Sequence, residues 1–166
     1  MKPIETERLV LRHLTIEDDA FMLELMNEPD FIRFVADRGL RTRADAAVYL
    51  SEKILPSYVR YGFGFYRVDL KDSGTAIGIC GLVKRETLDC VDIGFSLLER
   101  FRRRGYALEA ATAVMKYGLN VLELPRIVAV TAPDNRNSIR LLEKLGLRFQ
   151  EKIYLPGYGP ESLLFG

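Results

Sequence analysis

The alternation of apolar and polar positions divides this chain into strands and helices. Strands are predicted where apolar residues alternate with polar ones or run without interruption, at 7–14, 63–70, 75–83, 91–97, 126–131, 148–155 and 161–165. Apolar residues three or four apart follow Thr15, Thr42, Gly105 and Asn135, which predicts helices there. The order of elements is therefore β-α-α-β-β-β-α-β-α-β-β.

Two connections in this order constrain the sheet. The turn Lys71-Asp72-Ser73-Gly74 joins two strands as a hairpin, whereas the helix between 97 and 126 makes a parallel crossover. No repeat, low-complexity segment or linker interrupts the pattern. We therefore predict a single α/β (α+β) domain over residues 1–166, with a twisted, mostly antiparallel sheet of about seven strands and about four helices on its faces.

The amino-acid composition is that of an ordinary globular protein. The chain has 166 residues, 48% of them hydrophobic and 28% charged, with a formal net charge of +1. Because the charge is balanced, nothing in it draws the molecule to nucleic acid or to an anionic membrane. Two cysteines and one histidine disfavour a disulfide framework or a metal site. The N-terminus lacks an apolar signal segment and no apolar run approaches ~18 residues, so we predict a cytoplasmic protein.

A basic loop stands out against this balanced background. The segment Arg100-Phe101-Arg102-Arg103-Arg104-Gly105-Tyr106-Ala107 lies between the strand at 91–97 and a long helix. The first N–H groups of a helix have no partner within it, glycine lets a bulky phosphate approach the backbone, and arginine adds fixed charge. The pattern predicts a phosphate-binding loop. A solvated basic turn is the alternative, and a nucleic-acid surface is disfavoured because no aromatic-rich basic surface accompanies the loop.

The strand before the loop carries a candidate catalytic residue. Asp92, Gly94 and Ser96 share one face of this strand, and the two small residues leave room there for a ligand. Asp92, beside that space, is a candidate base that accepts a proton from an ammonium group, directly or through water. The alternative is an ordinary solvent-facing strand side, with an aspartate that only orients a loop.

The order of elements and three motifs resemble the GCN5-related N-acetyltransferase (GNAT) superfamily. The loop from Arg102 to Ala107 matches the superfamily's Gln/Arg-x-x-Gly-x-Gly/Ala signature for the coenzyme A pyrophosphate, and Leu108-Glu109-Ala110 follows directly. The segment from Asn135 to Leu147 is similar to the Asn-x-x-Ser…Glu-Lys-x-Gly-Phe segment of the Rim-type branch, which acetylates the N-termini of ribosomal proteins. The opening Thr6-Glu7-Arg8-Leu9-Val10-Leu11-Arg12 is also similar to that branch.

The resemblance implies an N-acetyltransferase that uses acetyl-CoA and no metal. The pantetheine arm would lie between two splayed parallel strands, 91–97 and 126–131, and pair with the backbone of the first of them. The pyrophosphate would lie on the amides of the basic loop, and Asn135 would contact the pantetheine or the pyrophosphate region. The coenzyme-binding residues implied in this way are Phe95, Ser96, Leu97, Arg102, Arg103, Arg104, Gly105, Tyr106, Ala107 and Asn135.

The chain departs from the superfamily at the general acid. Many members carry a tyrosine seven residues after the asparagine, and this chain has Leu142 there. Ser138, Tyr106, Tyr154 or a water molecule would then protonate the leaving thiolate. We retain Asp92 and Ser138 as the predicted catalytic residues.

The acceptor is the least defined part of the prediction. Phe31, Arg33 and Phe34 lie between the first two helices, where relatives shape the acceptor site, although a hydrophobic lid over the core would have the same composition. The favoured acceptor is the N-terminal α-amine of a protein or peptide. The alternatives are a small-molecule amine, such as a polyamine, antibiotic or metabolite, and a coenzyme A-binding module without catalysis. Both a monomer and a homodimer fit, because the last hairpin could close its own sheet or pair across a dimer.

Overall fold

The computed structural model of the chain describes residues 2–166, and all of its strands belong to one sheet. The strands are β1 (Ile4–Glu5), β2 (Leu9–His13), β3 (Phe65–Leu70), β4 (Ala76–Val83), β5 (Val91–Leu97), β6 (Ile127–Thr131), β7 (Phe149–Ile153) and β8 (Ser162–Phe165). They stand in the order β1-β2-β3-β4-β5-β6-β8-β7. β5 and β6 are parallel and the other neighbours are antiparallel, which confirms the predicted mixed sheet.

Helices pack on this sheet and connect its strands. They are α1 (Asp19–Met26), α2 (Pro29–Phe34), α3 (Arg43–Tyr49), α4 (Leu55–Tyr61), α5 (Tyr106–Asn120) and α6 (Arg136–Lys144). A π-helical turn over Leu50–Ile54 joins α3 to α4 in one continuous body, just before Pro56, which has no N–H to donate. No helix within residues 2–166 is long and apolar enough to cross a bilayer.

Two short elements exceed the predicted seven strands and four helices. β1 has only two residues and pairs Ile4 with Leu11, so it is too short to show a period in the sequence. α2 lies between the first two predicted helices, where no element is predicted. Pro29 lies in the first turn of α2, where its fixed φ suits a helix start.

Two apolar clusters form the core, one on each face of the sheet. The first packs Ala111 and Val114 of α5 against the strands, and the second packs Met22 of α1 beneath α3. Adjacent side chains of β4 point to opposite faces, since Cys80 belongs to the first cluster and Ile79 to the second. The sheet is therefore covered on both faces, as expected for a layered α/β fold.

The parallel strands separate soon after they meet. β5 pairs with β6 only from Val91 to Ile93, and Ala129 is the last β6 residue in that pairing. Beyond Ala129, β6 continues along β8 while β5 continues along β4. The predicted splay of these strands is confirmed, and it opens a wedge in the middle of the sheet.

Candidate active site

The edge of β5 that faces the wedge offers free backbone groups. The N–H of Leu98 donates to the carbonyl of Ile77 at 2.8 Å, and hydrogen-bonded positions alternate along an antiparallel pair. This alternation turns the backbone of Phe95 and Leu97 toward the wedge, where an extended ligand can pair with it. Ser96, also predicted to bind through its backbone, is turned toward Ile79 of β4 by the same register. Its side chain lines the cavity described below.

The loop between β5 and α5 presents a row of free amides. Arg103 has a φ of 63° and Gly105 a φ of 81°, both in the left-handed region. The N–H of Arg102 donates to Glu99, whereas the N–H groups at 103–108 have no acceptor within residues 2–166. The positive end of the α5 dipole lies at the same place. The predicted pyrophosphate amides, from Arg103 through Gly105 and Tyr106 to Ala107, thus form a donor set suited to phosphate.

Two arginines of this loop fasten it to the helical layer. Arg100 pairs with Glu24 at 2.6 Å. Arg102 pairs with Asp30 at 2.5 Å and donates twice to the carbonyl of Leu97, at 3.0 and 3.1 Å. The Arg102 side chain, predicted to contact the coenzyme, therefore braces the loop in this structure. It also occupies the Leu97 carbonyl, which leaves the N–H of Leu97 as that residue's free group.

The other two arginines of the loop carry its free charge. Arg103 and Arg104 are exposed, and no carboxylate within residues 2–166 lies within 4.0 Å of either guanidinium. Their side chains follow the left-handed turn that leads into α5. They are the arginines available to a phosphate.

Arg8, which the sequence analysis names only as part of the opening motif, also supports the loop. Arg8 pairs with Glu109 at 2.7 Å, donates to the carbonyl of Arg104 at 3.0 Å, and stacks over the ring of Tyr106 at 4.4 Å. The Glu109 carboxylate also accepts from the hydroxyl of Thr6 at 2.5 Å. The conspicuous Thr6-Glu7-Arg8 opening of the sequence thus anchors the first turn of α5.

One cavity, partly open to solvent, joins the wedge to the space beneath the helical layer. Its lining includes Ile93 and Leu142 from the first core cluster, and Met22 and Ile79 from the second. The cavity therefore passes through the sheet at the wedge. A donor bound in the wedge and an acceptor held under the helices would meet there.

Asp92 lies in this cavity with a partner that the sequence did not indicate. Its side chain is 2% exposed and forms two hydrogen bonds with Arg85, at 2.9 and 3.2 Å. Burial raises the pKa of the Asp92 carboxyl, and the Arg85 guanidinium opposes that shift. The space above Gly94 is filled by the ring of Phe65, only 3.0 Å from where a Cβ would stand. Asp92 is thus half of a buried ion pair, beside an aromatic wall.

The start of α6 contributes the predicted polar pair Asn135 and Ser138. The Oδ1 of Asn135 accepts from the N–H of Ser138 at 3.3 Å, which makes Asn135 the N-cap of the helix. Both residues line the cavity, and the Ser138 hydroxyl has no hydrogen-bond partner within residues 2–166. Leu142, one turn further on, is 1% exposed and contributes an apolar surface.

The three predicted acceptor residues separate in the structure. Phe31 is buried, and both Phe31 and Phe34 line the cavity from α2. Arg33 lies on the outside of α2, where it stacks over Phe34 at 4.6 Å and pairs with Asp134 at 3.4 Å. Phe31 and Phe34 thus belong to the cavity wall, and Arg33 connects α2 to the turn before α6.

The tyrosines that reach the cavity are not those predicted. Tyr106 packs under Arg8 at the loop, Tyr154 is 67% exposed, and neither lines the cavity. Tyr49 and Tyr158 line it instead. Burial raises the pKa of Tyr49, which keeps its hydroxyl protonated and able to donate. A helical stripe conceals Tyr49 in the sequence, and the only signal for Tyr158 is an aromatic residue in an otherwise glycine- and proline-rich loop.

Two further arginines converge on Tyr158. The guanidinium carbons of Arg85 and Arg38 lie 4.7 and 5.3 Å from the centre of its ring, and Arg38 donates to its hydroxyl at 2.9 Å. Arg38 comes from the segment after α2, Arg85 from the β4–β5 connection and Tyr158 from the β7–β8 connection. Three distant parts of the chain therefore build this end of the cavity. No group of three or more histidine, cysteine, aspartate and glutamate side chains in residues 2–166 could hold a metal ion.

Comparison with known proteins connects this geometry to a family. Residues 8–148 match the family model described as an acetyltransferase (GNAT) domain. The chain is 27% identical over 145 residues to the uncharacterised N-acetyltransferase YnaD of Bacillus subtilis, which covers 87% of this chain and 82% of that protein. It is 29% identical over 151 residues to the uncharacterised protein YkkB of the same organism, with 89% and 86% covered.

Solved structures show the same fold. An acetyltransferase from Agrobacterium tumefaciens superposes with a TM-score of 0.82 at 28% identity, covering 99% of this chain and 93% of that one. RimL, a ribosomal L7/L12 alpha-N-protein acetyltransferase solved with coenzyme A, superposes with a TM-score of 0.83 at 16% identity, covering 99% and 96%. The second likeness is one of fold alone.

Proposed function

Because this chain belongs to the GNAT family of acetyltransferases, we propose that it transfers acetyl from acetyl-CoA to the N-terminal α-amine of a protein or peptide. The use of acetyl-CoA follows from the family, and the choice of acceptor is the proposal. The fold shared with an alpha-N-protein acetyltransferase supports this acceptor. The observation that carries the proposal is the continuous cavity, which joins the wedge to an apolar space under α1 and α2.

The wedge and the loop fit the donor. The free N–H groups at 103–108 match a pyrophosphate, and the free backbone of Phe95 matches the amides of a pantetheine arm. Arg103 and Arg104 add charge, and Asn135 lines the wall opposite β5. When bound, acetyl-CoA supplies a thioester carbonyl open to attack by an amine. The chain's own task is then to orient the amine and to move its proton.

The cost of removing that proton favours an α-amine. A peptide α-amine has a pKa of about 7.7–8.0 and lysine one of about 10.4, so deprotonation at pH 7 costs about 1–1.4 kcal/mol for the first and about 4.6 kcal/mol for the second. The cavity offers one carboxylate, Asp92, and that carboxylate is already paired with Arg85. Such a site suits the amine that needs less help.

Asp92 and Ser138 are the chain's groups for proton movement in this proposal. Asp92 accepts the ammonium proton, directly or through water, while Arg85 holds its carboxylate in place. The free hydroxyl of Ser138 lines the cavity at the start of α6 and would hydrogen-bond the leaving sulfur. The hydroxyls of Tyr49 and Tyr158 are further donors in the cavity lining.

A small-molecule amine is the second candidate acceptor. The observation that favours it is the convergence of Arg38, Arg85, Tyr49 and Tyr158 on one end of the cavity. Side chains from separate segments that meet around one spot suit a compact ligand with several polar groups.

A thiol-release assay with acetyl-CoA tests the proposal. Peptides with free N-termini, the same peptides with blocked N-termini and a lysine side chain, polyamines and free amino acids form the panel. We expect release with free N-termini and little with blocked ones. Release only with non-peptide amines would move the function to the second candidate. If none of the amines in the panel caused thiol release, transfer to an amine would be contradicted altogether.

A further inference from the structure

The far end of the cavity holds a guanidinium without a carboxylate partner. Arg38 donates to the hydroxyl of Tyr158 at 2.9 Å, and no carboxylate in the described chain lies within 4.0 Å of it. Its neighbour Arg85 is different, because Asp92 holds it with two hydrogen bonds. Arg38, Arg85 and Asp92 are the charged residues of the cavity lining, so the lining carries a net charge of +1.

This positive charge does not belong to the phosphate end of the cleft. Asp92 lies near the start of β5, and the phosphate-binding loop follows its last residue, Leu97. At about 3.3 Å per residue, the two ends of the strand are roughly 17 Å apart. Arg38 stands on the Asp92 side, because Arg85 contacts both Asp92 and the Tyr158 ring that Arg38 also contacts. An anion bound at Arg38 would therefore belong to the acceptor and not to the coenzyme A phosphates.

The surroundings of Arg38 suit an anion. A guanidinium beside two tyrosine hydroxyls, Tyr49 and Tyr158, presents several donors and a positive charge in one place. The apolar residues Phe31, Phe34 and Val35, close to Arg38 in the chain, are also part of the cavity wall. An acceptor that matches has an amine near Asp92, a carboxylate at Arg38 and an apolar group between them.

We propose that the acceptor is a primary amine that also carries a carboxylate, bound by Arg38 and the hydroxyl of Tyr158. This rests on the proposed function, or for a free amino acid on its small-molecule alternative, since it names a second group on the acceptor. Two sources have this chemistry: a free amino acid with an apolar side chain, and a peptide N-terminus followed by an acidic residue. A polyamine would bring further positive charge to a lining that is already positive, so it is excluded as the preferred acceptor.

Matched acceptor pairs test the proposal. Leucine and leucinamide differ in the carboxylate. The dipeptides Leu-Asp-amide and Leu-Asn-amide, which have free N-termini and amidated C-termini, differ in the side-chain carboxylate. We expect the acidic member of at least one pair to have a KM lower by about tenfold or more, the size of one charge-assisted hydrogen bond. The leucine pair is stringent, because the amide's amine is less basic and would otherwise react better. The pair that shows the preference identifies the source of the carboxylate.

Variants connect the preference to the residue. Arg38→Gln should remove the preference for the acid, so that the two members of a pair have similar KM values. Arg60→Gln is the matched control, because Arg60 is also exposed, stacks on Tyr61 at 5.1 Å, has no carboxylate partner in the described residues and lies outside the cavity. Equal use of both members of each pair by the wild type, or a preference that survives Arg38→Gln, would overturn the proposal while acetyl transfer stands.

A binding measurement keeps this inference separate from the proposed function. 4-Methylpentanoate is leucine without its amine, so it cannot be acetylated. We expect it to bind the coenzyme A complex in calorimetry, and Arg38→Gln to weaken that binding about tenfold. If no amine in the panel is acetylated, this titration still decides the matter, and an absence of binding would refute the carboxylate site.

Discussion

At one end of the cleft the groups that point inward are backbone amides, and at the other end they are side chains. The donor end uses the free N–H groups at 103–108 and the backbone of Phe95, all within one stretch of chain. The acceptor end uses Arg38, Arg85 and Tyr158 from three connections far apart in the sequence. Backbone groups suit the pyrophosphate and the pantetheine amides of coenzyme A, and these are the same whichever acceptor is used. The side chains of the acceptor end can change without altering the backbone groups of the donor end, so one scaffold can hold one donor and different acceptors.

The two ends also differ in how their charges are arranged. Around the donor loop, Arg8, Arg100 and Arg102 are paired with carboxylates and brace it, while Arg103 and Arg104 stay free. At the acceptor end the paired arginine, Arg85, holds the carboxylate of the candidate base and does not brace a loop. A substitution at the donor end should therefore change coenzyme binding, and one at the acceptor end should change turnover or acceptor choice.

Gly105→Val should produce the largest effect, at the donor end. Gly105 has a φ of 81°, which a β-branched residue does not readily adopt, and a Cβ there would stand 3.3 Å from the Arg8 guanidinium. Losing two charge-assisted hydrogen bonds to the pyrophosphate should weaken coenzyme A at least about 100-fold in calorimetry.

Gly74→Val is the control for backbone strain. Gly74 has a φ of 72° in the β3–β4 turn, with open space where a Cβ would stand. It should lose a similar amount of thermal stability and keep its affinity for the coenzyme. Equal losses of affinity in both variants would mean that strain, and not the phosphate site, explains the result at Gly105.

Asp92→Asn should slow transfer about 100-fold near pH 6.5, if Asp92 is the base. The loss should shrink above about pH 8, because the α-amine then loses its proton without help. The variant also leaves the Arg85 guanidinium without its carboxylate, and breaking a buried pair costs about 3–5 kcal/mol.

The double variant Asp92→Asn with Arg85→Gln therefore accompanies it, and coenzyme A binding by calorimetry confirms that each protein is folded. Coenzyme affinity should be nearly unchanged in both variants, as expected for the acceptor end. A pH–rate profile of the wild-type shape in either folded variant would assign Asp92 a positioning role.

Replacing Arg103 and Arg104 together by glutamine should weaken coenzyme A about tenfold and flatten the salt dependence of binding, since both charges are free. Replacing Arg100 and Arg102 together should lower thermal stability more, because their partners Glu24 and Asp30 lose their contacts. Equal effects of the two double variants on both affinity and stability would erase the distinction between free and bracing arginines.

The donor end is easier to predict from the sequence than the acceptor end, because its groups are consecutive in the chain. Strand, loop and helix around Gly105 are consecutive, so local pattern predicts their arrangement and the free amides, whereas the splay at 91–97 and 126–131 is expected only from the resemblance to the superfamily. The ion pair of Asp92 with Arg85 depends on a β4–β5 connection of irregular shape. The place of Tyr158 depends on how a glycine-rich loop folds back over the cavity. Neither the β4–β5 connection nor this loop has a hydrophobic period in the sequence. The same limit applies to β1, whose pairing of Ile4 with Leu11 leaves no pattern in two residues.

The smallest expected effect concerns the pH dependence of the fold, against which any pH profile of the acceptor end is measured. His13 stacks on Tyr58 at 3.8 Å between centroids, its Nε2 is buried without a partner within residues 2–166, and burial lowers its pKa. Because the unfolded chain binds this proton more readily, stability should fall as pH decreases through about 6.5, the unfolded value. His13→Phe keeps a stacked ring and cannot titrate, so its Tm should fall less between pH 7.5 and pH 5.5. The difference should not exceed about 2–4 °C, which is what 1 kcal/mol produces in a protein of this size. Parallel Tm curves for the two proteins would show that His13 contributes nothing, and acid sensitivity would then be traced to the ion pairs of Asp18 with Arg12 and Arg67.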